Sequence, residues 1–184
     1  MKHKTLSILL CICLLAATLL SPAIFGCNGS DEKSDGDYQQ VLLEEMNNLG
    51  LLMVNVNASD PMIWPEIDPY INGEFQNTAE LSECIDIAFA TVEDVIRAIE
   101  IWPETPSQIA VEEETTCLRS YVLLGAYYVK ALIEIIKRDL EAGNNSSIDI
   151  TDEMSSILFN KYRYYFRLEY KRLCEKYGFE IKEY

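Results

Sequence analysis

From about residue 38 onward the apolar residues recur at alternating steps of three and four, a spacing that a helix turns into one continuous face and a strand does not. Leu42, Met46, Leu49, Met53 and Val56 predict a helix over about 38–57. Leu81, Ile85, Ala88, Val92, Val95 and Ile99 predict a second over about 78–101. Val111, Thr115, Leu118, Val122, Gly125, Val129, Leu132 and Ile136 predict a third over about 106–142. A fourth, over about 150–177, would bury Met154, Leu158, Tyr162, Tyr165, Leu173 and Tyr177, with Glu169 falling where an apolar residue is expected. Seams of this rhythm pack at shallow crossing angles. The expected fold is therefore all-α, an up-and-down bundle of about four main helices.

Local punctuation agrees. Asp37 with Gln40, Asn77 with Glu80 and Thr105 with Gln108 each place a capping side chain three residues before an amide or acid, and Pro106 suits a first helical position. Pro103, Gly143 and Gly178 mark helix ends. Between the first two helices, residues 58–77 hold Pro61, Pro65, Pro69 and an Asn72-Gly73 turn flanked by Tyr70-Ile71 and Glu74-Phe75. That turn suits a small hairpin. The connection as a whole reads as a crossover packed by Trp64, Ile67, Tyr70 and Phe75.

The first 27 residues have a different character. Lys2, His3 and Lys4 precede an apolar run from Leu6 to Phe25, which gives way at Cys27 to the polar stretch Asn28 to Asp37. The Gly26-Cys27 junction resembles the lipobox of prokaryotic lipoproteins. The resemblance implies cleavage before Cys27 and a diacylglycerol thioether on its sulfur. An ordinary cleaved signal peptide and an uncleaved membrane span are the competing readings, since 20 mostly apolar residues are long enough to cross a bilayer. All three place the remaining chain outside the cytoplasm. The expected organisation is residues 1–26 as signal peptide, 27–36 as flexible tether and 37–184 as a single helical domain.

Charge and histidine content narrow the function. From Cys27 onward 13 cations face 30 carboxylates, a net charge near −17. Such a field repels nucleic acid and anionic lipid head groups. The chain's one histidine, His3, lies in the leader. The exported part thus lacks the side chain required for Ser-His-Asp or Cys-His nucleophile pairs, His-ligated zinc and the di-iron Glu-x-x-His motif. A calcium loop tested at Asp31 to Leu42 fails at Lys33 and Leu42. No catalytic residue, metal or cofactor is implied.

Against this acidic background, six of those 13 cations fall within residues 161–176. Arg163, Arg167 and Lys171 follow at successive helical turns beside Tyr162, Phe166 and Tyr170. Such rows suit an anionic or glycan ligand held by charge and stacking. They equally suit internal neutralisation of the acidic helices. Glu112, Glu113 and Glu114 read as a solvated face near a helix start. Both tryptophans occur in one repeated tetrapeptide, Ile63-Trp64-Pro65-Glu66 and Ile101-Trp102-Pro103-Glu104. It serves either as a plug at a bundle end or as half of a paired aromatic platform.

Three cysteines lie in the helical region. Helix rise places Cys117 about 37 Å and Cys174 about 36 Å from the turn between the last two helices, whereas Cys84 and Cys117 are offset by about 10 Å. A Cys117–Cys174 disulfide is therefore expected, with Cys84 a reduced core residue. The functional expectation is a membrane-anchored extracytoplasmic lipoprotein, non-enzymatic, binding an envelope protein or an anionic or glycan ligand. A carboxylate-based hydrolase of envelope glycans and a structural spacer are the alternatives. If the leader reading holds, metabolic labelling with a fatty acid marks the wild-type protein, and Cys27→Ala abolishes the label; a labelled Cys27→Ala protein contradicts it.

Overall fold

The structure, a computed structural model, describes residues 35–74, 78–143 and 148–184. The leader, Cys27 and most of the expected tether lie outside these residues. Among the described residues there are six helices and no strand: α1 (Asp35–Ala58), α2 (Ile67–Ile71), α3 (Thr78–Glu100), α4 (Pro106–Ala110), α5 (Glu112–Ala142) and α6 (Ile148–Tyr177). Four are long, and they pack on one another as an all-α bundle. No described helix is long and apolar enough to cross a membrane.

Cross-helix pairs give the directions. Lys130 and Lys137 of α5 meet Glu93 (2.9 Å) and Asp86 (3.0 Å) of α3, so one number rises as the other falls. Tyr177 of α6 donates to Glu114 near the start of α5 (3.0 Å), while Tyr165 stacks on Tyr121 at 5.8 Å. Tyr38 of α1 lies 6.4 Å from the Tyr177 ring, and Tyr170 donates to Asn47 at 3.0 Å. The order is up, down, up, down. Helix α5 packs along α1, α3 and α6, whereas α1 and α6 touch each other sparsely. That leaves a gap between them.

The core comes from the seams. Leu42, Met46, Leu49, Met53 and Val56 of α1, the six seam residues of α3, and Leu118, Val122, Val129, Leu132 and Ile136 of α5 are all buried. Each large aliphatic side chain hidden this way contributes about 1.5–3 kcal/mol. Thr115 sits in the same seam because its hydroxyl donates to the Val111 carbonyl at 2.9 Å. Helix α6 departs from expectation. Its buried face is Phe166, Tyr170, Leu173 and Cys174, while Tyr162 is half-buried, Tyr165 is 39% exposed, and the side chains of Met154 and Leu158 lie outside the description. The reason is Glu169, which turns aside to Arg172 (2.6 Å) and leaves the seam to the row one position over.

Helix ends follow local chemistry in part. Thr105 accepts from the Gln108 amide (3.3 Å) while the Gln108 side chain accepts from Thr105 N–H (3.0 Å), the expected reciprocal box. The helix it starts ends after five residues, because Val111 adopts φ −117° and ψ 15° to enter the core. Asp37 caps nothing, since α1 already runs from Asp35; Asn77 and Phe75 lie outside the described residues. Gly143 (φ 61°) and Gly178 (φ 74°) take the left-handed conformation that closes α5 and α6. No hairpin forms at Asn72-Gly73. Residues 67–71 are the helix α2 instead, whose buried Ile67 and Tyr70 seal the crossover.

The two tryptophan tetrapeptides stand apart. Trp102 follows α3, and its carbonyl accepts from Arg119 (2.7 Å) early in α5. Trp64 donates to the Ala58 carbonyl (3.4 Å) just after α1, in the crossover whose Tyr70 feels the charge of Asp139 late in α5. Twenty residues of α5 separate Arg119 from Asp139, about 30 Å of helix rise. The residues thus seat at opposite ends of the bundle and form no shared platform.

The expected Cys117–Cys174 bridge is absent: both are free thiols, as is the half-buried Cys84. The level was right, since Glu114 and Tyr177, each three residues from one of the two cysteines, are hydrogen-bonded across α5 and α6. The facing was wrong. Cys117 points to solvent, whereas Cys174 is buried with its Sγ 3.8 Å from the Glu180 carbonyl.

Two acids of the core region titrate in opposite senses. Burial pulls Glu114 up, but hydrogen bonds from Tyr38 and Tyr177 and the charge of Lys176 outweigh it and leave its carboxyl below the usual value. Glu114 therefore ties α1, α5 and α6 with a contribution that is lost as pH falls through that lowered value. Burial raises Glu45, opposed by hydrogen bonds from Asn48 and Gln108. Its ionised form is disfavoured in the fold, a cost absent below its unfolded value of 4.5 and fully present above the raised one. Glu45→Gln should accordingly raise the melting temperature at pH 7, by about 2–4 °C for each kcal/mol recovered, and lose that advantage in acid. Melting curves at both pH values check this; an advantage that persists unchanged in acid contradicts it.

Candidate functional site

The gap between α1 and α6 is where the sequence-predicted row and an unforeseen segment meet. After Gly178 the chain reverses, and residues 179–184 run back along α6 without regular structure. Phe179 N–H donates to the Cys174 carbonyl at 2.9 Å, and the Phe179 ring stacks on Tyr177 at 5.7 Å. At the far end Arg167 Nε donates to the main-chain oxygen of Tyr184 at 2.8 Å. The Tyr184 ring meets Tyr170 edge-on at 5.0 Å and 76°.

Asn47 of α1 completes the arrangement. Its side-chain oxygen accepts from both Tyr184 (2.8 Å) and Tyr170 (3.0 Å). Burial pushes both phenols above their usual values, so each stays protonated and each can donate. One turn away is Gly50, a buried glycine in the middle of α1. A Cβ there would lie 2.5 Å from the Tyr184 ring. Glycine in a helix interior costs about 1 kcal/mol relative to alanine. Here its compensation is the ring seated on it.

The returning segment and α6 enclose a cleft of about 230 Å³. Phe166, Arg167, Tyr170 and Lys171 form one side; Ile181, Lys182, Glu183 and Tyr184 form the other. Four of the six residues predicted as a ligand face therefore meet here, but in different roles. Phe166 and Tyr170 are core residues that form the floor, not an exposed stacking row. Tyr162 and Arg163 lie a turn beyond the cleft and do not line it. Asn47, Gly50, Lys182 and Tyr184 were not read from the sequence.

Ion pairing sets this region apart. Arg97, Arg119, Lys130, Lys137, Arg138, Lys171, Arg172 and Lys176 each have a carboxylate within 4.0 Å. Among the described residues the cations outside that set are Lys161, Arg163, Arg167 and Lys182, all on the middle of α6 or the returning segment. In a chain with twice as many acids as bases, such a group is anomalous. Arg163 shows the cost. It is half-buried, its Nε has no hydrogen-bond partner, and burial followed by the charge of Arg167 lowers its proton affinity. An anion beside it would offset both the lost hydration and the repulsion from Arg167. At physiological salt the Debye length is about 8 Å, so a small ligand at the cleft responds mainly to these local cations despite the net negative charge.

The described residues hold no cluster of acids and cysteines able to bind a metal ion. Comparison with protein-family models, with curated proteins and with solved structures finds no match to this chain, which leaves the chemistry of the cleft as the ground for a functional reading.

Proposed function

We propose that this protein is a lipid-anchored extracytoplasmic binding module whose cleft between α6 and residues 179–184 takes a small, ring-bearing organic anion. The observation that carries the reading is that Arg167 and Lys182 line the cleft with no carboxylate partner among the described residues, and Lys161 and Arg163 lie further along α6 with none, in a domain where every other described base has an acid. Above the buried Phe166 and Tyr170, Tyr184 and Ile181 offer apolar surface to the face of a sugar or aryl ring, and Arg167, Lys171 and Lys182 suit its charge. The volume, below the roughly 300 Å³ of drug-sized pockets, fits a single ring. A glycan-cleaving enzyme needs two carboxyl groups about 5–9.5 Å apart across the bond. Glu183 is the one acid among the lining residues, so the binding reading is preferred. The lipid anchor rests on the Gly26-Cys27 junction, and it would hold the cleft near the outer face of a membrane.

Titration calorimetry of the purified protein in detergent micelles tests the ligand class. Glucuronate and 4-hydroxybenzoate should bind, and glucose and phenol should not. Arg163→Gln with Arg167→Gln should weaken the anions at least tenfold; neither makes an ion pair among the described residues, so Arg163→Gln changes stability by no more than about 0.5 kcal/mol, and Arg167→Gln, which also removes the hydrogen bond to Tyr184, by no more than about 1.5 kcal/mol. Equal binding of acids and neutral analogues, or no binding at all, rejects the reading. A large loss of thermal stability in the double variant means that the row is structural.

A further inference from the structure

Half of the cleft wall belongs to a segment with little hold on the bundle. Between Phe179 and Tyr184 the chain has no regular hydrogen bonding, and Ile181 is 49% exposed. Its fixed points are the Phe179 turn at the end of α6, a weak contact from the Cys174 thiol to the Glu180 carbonyl, and Tyr184 itself. The contact that fixes Tyr184 is stringent. The ring has space only because position 50 carries no side chain, and its hydroxyl shares with Tyr170 a single acceptor, Asn47 Oδ1.

We infer that Gly50 and Asn47, on a helix that does not line the cleft, are positioning residues that latch Tyr184 and thereby hold Lys182 and Ile181 in place to build the ligand site. This deepens the proposed function and rests on it for the ligand, but the latch can be read without one. The Tyr184 ring is the movable partner, since it ends a flexible side chain on an irregular segment. A methyl group at position 50 therefore expels the ring and leaves the helices in place. Alanine is also the better helix former, so the change that dismantles the cleft should leave the bundle as stable as before.

The test uses Gly50→Ala in the full-length protein, with Asn47→Ala and Tyr184→Phe as second variants that remove the hydrogen bond without crowding the helix. The first readout is cleavage by a lysine-specific protease after Lys182, the second is glucuronate binding, and helical content by circular dichroism reports the bundle. The expected result for Gly50→Ala is cleavage at least tenfold faster than wild type, glucuronate affinity at least tenfold lower, and unchanged helicity and melting temperature. Asn47→Ala and Tyr184→Phe should shift both readouts in the same direction. In a Tyr184→Ala background the Gly50→Ala effect should vanish, because nothing remains to expel. Unchanged cleavage in Gly50→Ala overturns the latch. Faster cleavage with glucuronate affinity intact overturns the claim that the latch builds the site. A wild type that binds no glucuronate counts against the proposed function instead, and cleavage alone then decides the latch.

Discussion

Two phenols share one amide oxygen, and the site depends on that contact. Asn47 Oδ1 accepts from Tyr170 and from Tyr184. The pair spans the gap left where α1 and α6 diverge, joining a helix from each end of the sequence to a segment that belongs to neither. Without it the apolar floor of Phe166 and Tyr170 would face water. With it, residues 179–184 become the second wall of a cleft. Because both phenols remain protonated across the physiological range, the arrangement does not depend on the titration of its own members.

The bundle around it divides its work between apolar seams and a few polar ties. The seams give affinity between helices without fixing rotation finely, and the ties fix it. Glu114 holds Tyr177 directly and draws on Tyr38 and Lys176 at one end, Lys130 and Lys137 bind α3 along its length, and Thr105 with Gln108 sets the start of α4. With the pairs at Arg97, Arg119 and Arg138, every cation of α3 and α5 has an acid. What remains unspent is concentrated on α6 and the returning segment, and that imbalance gives the cleft its preference for an anion. The exposed pairs contribute little stability individually, so pairing bears on specificity rather than on the strength of the fold.

The sequence made the helices legible because three- and four-residue apolar spacing has few other physical meanings, and Leu42 to Val56 and Leu81 to Ile99 are buried as that spacing requires. It misled in α6 because that helix is amphipathic in two overlapping ways. The row Tyr162, Phe166 and Tyr170 is as regular as the expected seam, and only tertiary contact decides which row is core. The Cys117–Cys174 expectation failed on the same ground: axial rise fixes level, but rotation decides whether two side chains face each other. Gly50 offered a signal, as a glycine inside an otherwise continuous helical pattern. Its partner could not be inferred, because Tyr184 lies 134 positions away and joins it through a segment with no periodicity of its own.

The cleft exists only if Tyr184 is seated on Gly50 in the folded protein. Nuclear Overhauser contacts between the Tyr184 ring protons and the Gly50 α-protons, recorded on isotope-labelled protein, address it most directly. Strong cross-peaks are expected, together with a Tyr184 ring shifted from its free position by the neighbouring Tyr170 ring. Sharp, random-coil resonances for Tyr184 with no contact to α1 would contradict it.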